Sequence, residues 1–332
     1  LEGIDPGKPY EGGPDWRGPV ADCLYLPSAD GGRAITDAVT EAYHIINSGR
    51  ALAGEPWVAP KNGARFHFEL PGAVQGFRPE NSYVSKSTMK VENVVGHSQS
   101  GNRSLALCYQ HAMPGIATRV VTATFIPPEA ADMPGYGLIA SPTLYSGQTL
   151  RARVSADEGN ADDVYCQLYI QIYGEGDTPV EVDGPETVLA PGRDHTFTWR
   201  VPDTGGLPIA GVGLALRSVE RTEGRVYLDY VTWDGTPDVL LTYPEAGGAP
   251  AVVGGMWRRA WVNAVDQYQG WREEPYRLVH NEGIGLLIQG TREWRDYRVT
   301  ADVTPHMVKA AGLAARVQGM RRYYALLLCR DE

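Results

Sequence analysis

From Ala64 to Pro237, short runs of alternating apolar and polar residues are separated by turn residues. The clearest runs are Thr88–Asn93, Ser104–Tyr109, Val120–Phe125, Thr149–Val154, Tyr165–Tyr173 and His195–Val201. Alternation with a period of two predicts strands, and the Gly- and Pro-containing segments between them predict turns. Because no helical pattern interrupts the runs, we expect an antiparallel β-sandwich of the jelly-roll type over residues 64–237.

The first and last runs of this region each contain one acid. Arg65–Leu70 contains Glu69, and Val226–Trp233 contains Asp229. If these two strands are neighbours, both carboxylates would meet near one rim, and loop carbonyls would supply the further oxygens that calcium requires. We therefore predict a structural calcium site at Glu69 and Asp229. The alternative is that both acids face water, or that Glu69 pairs with Arg65 or Arg78.

A second β-rich region follows the Pro- and Gly-rich segment Thr242–Pro250, which is typical of an interdomain linker. Its predicted strands are Gly285–Gln289, Tyr297–Val303, Gly312–Val317 and Tyr323–Leu328. We expect residues 251–332 to form a partial β-sandwich whose open edge needs a partner.

The first sixty residues follow a different pattern. Apolar residues recur at helical spacing and end at a glycine, at Ile35, Val39, Tyr43, Ile46 and Gly49. We expect residues 1–60 to be the helical tail of an upstream domain followed by a linker. The predicted fold is therefore mainly β: a jelly roll, then a partial sandwich, with a short N-terminal helical segment.

Composition narrows the classes of function. The chain has 332 residues, 43% of them hydrophobic, and a formal net charge of −10, whereas nucleic-acid binding needs clustered Lys and Arg. No apolar run approaches the roughly 20 residues that a transmembrane helix needs. We therefore expect neither nucleic acid nor a membrane as a partner.

The four cysteines are far apart and form no C-x-x-C pair. We expect reduced structural thiols, which favours a cytoplasmic protein. The alternative is a single bridge between Cys108 and Cys166. The N-terminus gives no signal-peptide pattern, but a chain that begins at Leu1 looks truncated, so the localisation is an expectation only.

No recognised catalytic motif is present, and we assign no catalytic residue. Gly211-Val-Gly213 is half of a dinucleotide fingerprint, but it lies within a β pattern, so we do not interpret it as a nucleotide site. The alternative hypothesis of a hydrolase pocket uses the predicted helix and the aromatic residues between Trp257 and Tyr276. It requires Asp266, Glu273 and Glu282 to converge.

Aromatic and planar polar side chains are the candidate ligand-binding residues, because sugar rings stack on aromatics while their hydroxyls pair with polar groups. In the first region the candidates are Tyr83, His97 and Tyr136. In the second they are Trp271, Arg321 and Tyr323. The alternative is that the aromatics fill cores and that the turn charges are solvated.

Several segments resemble one family. They are Trp16–Asp22, Ala29–Val39, Phe66–Glu80, Val226–Trp233, Met256–Trp261 and Gln318–Tyr324. They are similar to the region downstream of the catalytic domain in bacterial ADP-ribosylglycohydrolase-family proteins. The resemblance implies a galactose-binding-like jelly roll followed by part of a concanavalin-like sandwich.

The resemblance also implies a magnesium-dependent hydrolase domain upstream, whose acidic metal-binding signature does not occur in this sequence. In carbohydrate-binding jelly rolls, acids placed like Glu69 and Asp229 often hold calcium. Our hypothesis is a non-catalytic accessory region of an ADP-ribosylglycohydrolase-like enzyme that binds a carbohydrate or an ADP-ribose-like ligand. A purely structural interaction module is the third alternative.

Overall fold

A computed structural model describes residues 64–80, 86–126, 128, 131–132, 141–241, 245–246, 249–250, 255–271, 274–291, 294–319 and 322–329. These residues belong to two units that divide between Arg258 and Arg259. The predicted N-terminal helix lies outside the described residues.

The first unit is a sandwich of two five-stranded antiparallel sheets. Its strands are β1 Arg78–Glu80, β2 Thr88–Val95, β3 Arg103–His111, β4 Thr118–Ala123, β5 Thr149–Ala156, β6 Val164–Tyr173, β7 Pro179–Leu189, β8 Asp194–Arg200, β9 Ile209–Arg217 and β10 Thr222–Asp234. One sheet has the order β1-β4-β9-β6-β7 and the other β2-β3-β10-β5-β8. Because most successive strands change sheet, the connectivity is of the jelly-roll type, and the predicted fold class is confirmed.

The core lies between the two sheets and is built from the inward-facing residues of each strand. In β9 these are Val212, Leu214 and Leu216, and in β10 they include Val226 and Leu228, all at most 1% exposed. A bulge at Asp229 shifts the register of β10 against β5. Because the bulge adds one residue, Val231 and Trp233 face the core again beyond it.

The segment that precedes β1 was predicted to be a strand and is mostly irregular. Only Phe66 forms a bridge, with Val231 of β10, through two backbone hydrogen bonds of 3.0 Å. The first and last runs are therefore neighbours, as predicted. Side chains form hydrogen bonds with several of the remaining backbone groups. Gln75 accepts hydrogen bonds from the N–H groups of His67 and Phe68, and Asn93 donates hydrogen bonds to the carbonyls of Phe68 and Ala73.

A third side chain, that of Asp132, holds the turn that leads into β1. Its carboxylate accepts the backbone N–H groups of Val74, Gln75 and Gly76 at 2.7–2.8 Å. Since backbone donors bound to a carboxylate form strong hydrogen bonds, this turn is fixed without being part of a sheet.

Two short strands, β11 Glu245–Ala246 and β12 Ala249–Pro250, and a helix at Gly255–Arg259 come next in the chain. The strands after them are β13 Val262–Ala264, β14 Gln267–Trp271, β15 Glu274–Val279, β16 Leu286–Ile288, β17 Ala310–Gly319 and β18 Arg322–Cys329. In the second unit they pair as three antiparallel two-stranded sheets, β13-β16, β14-β15 and β17-β18. The predicted strand Tyr297–Val303 is wrong, because this segment has no regular structure.

Cys108, Cys166 and Cys329 are free, so the alternative bridge between Cys108 and Cys166 does not form. Among the described helices, none has the length and apolar character needed to span a bilayer.

His111, at the end of β3, is completely buried among polar partners. Its ring nitrogens lie 2.8 Å from Ser218 Oγ and 3.1 Å from Thr118 Oγ1, and its ring stacks on Tyr109. Burial lowers the pKa of His111 from 6.5 to about 4. The neutral imidazole is therefore the form that the fold accommodates.

This burial predicts a pH-dependent loss of stability. In the unfolded chain His111 binds a proton near pH 6.5, whereas in the fold it does so only near pH 4. Falling pH therefore favours unfolding across this window, by about 3 kcal/mol in total. Urea unfolding between pH 7 and pH 4 should show a smaller loss for His111→Gln than for the wild type.

The control is His195→Gln, which changes a histidine on β8. It should lose stability in parallel with the wild type. Equal pH dependence in the wild type and His111→Gln would contradict the assignment.

Candidate functional site

The two acids of the predicted calcium site bind the same loop, residues 96–102, which joins β2 to β3. Glu69 accepts the backbone N–H of Asn102 at 3.0 Å and that of Arg103 at 3.3 Å. Asp229, only 4% exposed, accepts the hydroxyl of Ser98 and the backbone N–H of Gln99, each at 3.0 Å. The two carboxylates therefore hold the β2–β3 loop against the sandwich.

The donors around these carboxylates differ from the ligands of a calcium ion. Calcium takes six to eight oxygen ligands, whereas the oxygens of Glu69 and Asp229 accept N–H and O–H groups. Arg153 Nε, 3.7 Å from Asp229 Oδ2, already places a positive charge there. No group of three or more His, Cys, Asp or Glu side chains suited to a metal occurs within the described ranges. This arrangement does not fit calcium, which would have to displace these donors, and the cation stays a prediction from the sequence.

The predicted ligand-binding residues that the structure describes belong to different units. Tyr83, Tyr136 and Arg321 lie outside the described residues. His97 is exposed in the β2–β3 loop and stacks on Tyr227, with ring centroids 3.6 Å apart. Trp271 ends β14 and Tyr323 lies in β18, so both belong to the other unit.

The aromatic residues of the second unit pack against one another. The ring of Trp261 contacts those of Tyr268 and Tyr276 at centroid distances of 6.5 and 5.2 Å. Burial raises the pKa of the Tyr276 hydroxyl. This mutual packing agrees with the alternative that these aromatics fill a core.

A different surface of the first unit has the geometry of a binding site. It is the outer face of the sheet β1-β4-β9-β6-β7, the face that points away from the core. On this face the middle of strand β9 contributes only small residues, Gly211, Gly213 and Ala215, because its large residues there point inward; Arg217 follows on the same face at the end of the strand. The neighbouring strands β4, β6 and β7 have long polar side chains at the same level.

The register of the sheet sets which side chains lie beside one another. Arg119 on β4 pairs with Ala215, Ala215 with Gln167 on β6, and Gln167 with Glu186 on β7. Long polar groups therefore stand on both sides of a small residue. One level along the strands, Arg217 lies over the ring of Tyr165 at 4.0 Å and also pairs with Glu186 at 2.8 Å.

A depression of about 360 Å³ lies at this place. It is lined by Gly115, Ile116, Ala117, Arg119, Gln167, Glu186, Ala215 and Arg217. It is a shallow, partly open recess and not an enclosed cavity. The guanidinium, amide and carboxylate groups around it are planar hydrogen-bonding groups on rigid strands.

The electrostatics of this face are perturbed next to the depression. Burial raises the pKa of Glu181 above its ordinary value, while Arg119 opposes the rise and Glu80 and Asp183 add to it. Arg119 Nε lies 2.9 Å from Glu181 Oε2. Perturbed carboxylates in a recess are frequent at functional sites, so this face is our candidate site.

Known proteins were compared with the chain. No protein-family model matches the sequence, and no curated protein matches it significantly. Solved structures with a similar fold include a promiscuous carbohydrate-binding module of the β-sandwich superfamily, with 17% identity and a TM-score of 0.41. The alignment covers 53% of this chain and 64% of that one.

Two family 22 modules are also similar. One is a xylan-binding domain from Paenibacillus barcinonensis, with 10% identity, a TM-score of 0.36 and coverage of 51% of this chain and 90% of that chain. The other is a C-terminal module from Clostridium thermocellum, with 15% identity, a TM-score of 0.35 and coverage of 53% and 96%. At these values the similarity carries no conclusion about a ligand.

Removing the buried carboxylate that holds the β2–β3 loop should destabilise the sandwich. Asp229→Ala leaves the Ser98 hydroxyl and the Gln99 N–H without their acceptor, while Arg153 keeps its ion pair with Asp194. The expected cost is about 2–4 kcal/mol in urea unfolding. Asp234→Ala, which removes an exposed partner of Arg151 on the same strand, should cost less than about 1 kcal/mol. Equal losses would contradict the role of Asp229.

The same proteins test the predicted cation. A calcium-dependent rise in Tm over the value in EGTA, lost in Asp229→Ala, would support a calcium ion. Equal Tm values in calcium and in EGTA would contradict the prediction of a bound calcium ion.

The packing around position 213 should require a glycine there. A Cβ there would lie 2.5 Å from Cζ of Tyr169 and would also clash with the carbonyl of Val120. We expect Gly213→Ala to lower the free energy of unfolding by about 1–3 kcal/mol. Gly255→Ala, whose Cβ would meet its nearest neighbour at 3.8 Å, should change it by less than about 0.5 kcal/mol, and similar values for both variants would contradict the argument.

Proposed function

We propose that the first unit binds a neutral carbohydrate in the depression around Ala215. The observation that supports this proposal is the row Arg119, Ala215, Gln167 and Glu186 across four strands. It puts planar polar groups on both sides of a small residue. Sugar hydroxyls pair with such groups, and a hydrogen-bonding site discriminates strongly against ligands that lack the hydroxyl.

Each side chain has a distinct role in this proposal. Gln167 offers both a donor and an acceptor, so it suits a pair of neighbouring hydroxyls. The carboxylate of Glu186 accepts hydrogen bonds from sugar hydroxyls, and the guanidinium of Arg217 donates hydrogen bonds to hydroxyl oxygens. Ala215 gives the sugar ring access to the sheet because it has no long side chain.

The charge of this face favours a neutral ligand. The described strands place four carboxylates on it, Glu80, Glu181, Asp183 and Glu186, and three guanidinium groups, Arg78, Arg119 and Arg217. Arg119 and Arg217 are each paired with a carboxylate of the same face. An anionic sugar would therefore meet a slightly negative surface whose paired cations are already engaged.

The wider context is also part of the proposal. The sequence resemblance supports an accessory role beside an ADP-ribosylglycohydrolase-like hydrolase, and the module would hold that enzyme near its glycan. ADP-ribose is the rival ligand under that hypothesis. Xylan is the first polysaccharide to try, because one of the similar structures is described as xylan-binding.

Isothermal titration with xylohexaose, cellohexaose and ADP-ribose tests the proposal. We expect a neutral hexasaccharide to bind with a Kd on the order of 0.1 mM, since the site is shallow. Gln167→Ala should weaken binding about tenfold, and Ala215→Trp should abolish it by filling the floor.

The matched control is Thr198→Trp, which adds the same side chain at an exposed position of β8 in the other sheet. It should bind like the wild type. Silence with both hexasaccharides would overturn the proposal, and so would equal binding by the two tryptophan variants. If ADP-ribose binds and neither hexasaccharide does, the ligand is ADP-ribose and not a neutral carbohydrate.

A further inference from the structure

One aromatic ring on the outer face is hidden although it points away from the core. Tyr169 faces the same side of β6 as Gln167, yet it is only 1% exposed. Its hydroxyl donates to the carbonyl of Val120 on β4 at 3.3 Å. The ring therefore crosses β9, where Gly213 leaves room for it.

Two pairs of long side chains extend across this part of the sheet. Arg119 on β4 meets Glu181 on β7 at 2.9 Å, and Gln171 on β6 donates to Glu80 on β1 at 2.9 Å. In each pair the two strands are three positions apart in the sheet order. At about 4.8 Å per strand this separation is roughly 14 Å, so all four side chains must extend inward toward the middle of the face.

The two pairs meet close to Tyr169. Burial raises the pKa of the Tyr169 hydroxyl, and the nearby charges of Glu80 and Glu181 raise it further while that of Arg119 opposes them. By register, each pair also runs from the level of Ala215 to that of Gly211 and so passes the level of Gly213, where the ring lies. We name the four side chains of these pairs the polar cover: Glu80, Arg119, Gln171 and Glu181.

The polar cover adjoins the open depression. Arg119 belongs to both, and Gln167, which lines the depression, is two residues before Tyr169 on the same face of β6. The depression and the covered ring therefore lie along one line of the sheet. Partly exposed side chains separate them: Arg119 and Glu181 are 37% and 33% exposed, and Nε of Arg119 is buried.

We propose that the polar cover is displaceable and that Tyr169 is the aromatic platform of a second, hidden sugar subsite beside the depression. This inference rests on the proposed carbohydrate binding and deepens it. A short saccharide occupies the depression alone. A longer chain separates the two side-chain pairs, stacks a further ring on Tyr169 and forms hydrogen bonds with the four cover groups that have separated.

The hydrogen bonds lost between the cover groups can be replaced by hydrogen bonds to the sugar. The four groups of the polar cover are two carboxylates, an amide and a guanidinium, and each can exchange its protein partner for a sugar hydroxyl. The state that binds the longer chain is a minor one before binding, so weakening the cover raises the apparent affinity.

A ligand-free experiment tests the cover itself. Hydroxyl-radical footprinting read by mass spectrometry reports the exposure of each tyrosine ring. Tyr169 should be protected in the wild type and several-fold more reactive in Glu181→Gln and in Arg119→Met. Arg151→Met, which breaks the ion pair with Asp234 on the other sheet, should leave Tyr169 protected, and Tyr230 provides an internal reference in all samples.

Titration with xylobiose and xylohexaose tests the subsite. Glu181→Gln should tighten hexasaccharide binding about three- to tenfold, because less free energy is needed to separate the polar cover. It should leave disaccharide binding unchanged. Tyr169→Leu should reduce the hexasaccharide affinity to that of the disaccharide. Circular dichroism and the unchanged disaccharide affinity would show that these variants are folded.

The outcomes separate the two proposals. If neither xylohexaose nor cellohexaose binds the wild type, the proposed function fails, and footprinting still decides whether the cover opens. If the hexasaccharide binds but Tyr169→Leu binds it as well as the wild type, the hidden subsite is wrong and the proposed function stands. Continued protection of Tyr169 in both cover variants would also overturn the inference.

Discussion

Strand β9 has two faces of very different size, and the rest of the first unit depends on this difference. Val212, Leu214 and Leu216 fill the core, so β9 must lie at the centre of its sheet with its inner face packed. Gly211, Gly213 and Ala215 on the opposite face leave room that no other described strand of this sheet leaves. Because a pleated strand alternates its faces, one strand stabilises the sandwich and makes space on its surface.

The space above β9 is filled differently along its length. Around Gly213 the ring of Tyr169 occupies it, and the polar cover closes over the ring. Around Ala215, which is itself only 7% exposed, it forms the depression. A single larger residue at either level would change this, since a Cβ at Gly213 already meets the tyrosine ring. Small residues in a central strand therefore indicate contact with something above the sheet.

The sequence predicted the class of fold well because alternation and turn residues are local signals. The neighbouring first and last runs also followed, through Phe66 and Val231. Glu69 and Asp229 both bind the β2–β3 loop, and the sequence could not give their partners because these lie about 30 to 130 positions away along the chain. Whether such oxygens meet N–H groups or a cation is a matter of three-dimensional geometry, which composition does not contain.

The candidate site was missed for a related reason. Aromatic residues in loops drew attention to Tyr83, His97 and Tyr136, whereas the site lies on strands whose polar residues read as ordinary solvent-facing positions. The available signal was Gly211-Val-Gly213 inside a β pattern, which was rejected as a nucleotide motif and not reinterpreted as a gap in a sheet. Recognising it requires the strand order, because Arg119, Gln167 and Glu186 are adjacent only after β4, β9, β6 and β7 assemble.

The balance of energies at the polar cover decides whether a weak ligand can open it. An ion pair with both partners about one-third exposed contributes about 0–1 kcal/mol, and the hydrogen bond between Gln171 and Glu80 is exposed too. Uncovering one face of Tyr169 costs apolar contact, but a sugar ring stacked there restores that contact. The closed arrangement is therefore only marginally favoured, and a ligand with an affinity near 0.1 mM, about 5.5 kcal/mol, has enough binding free energy to displace it.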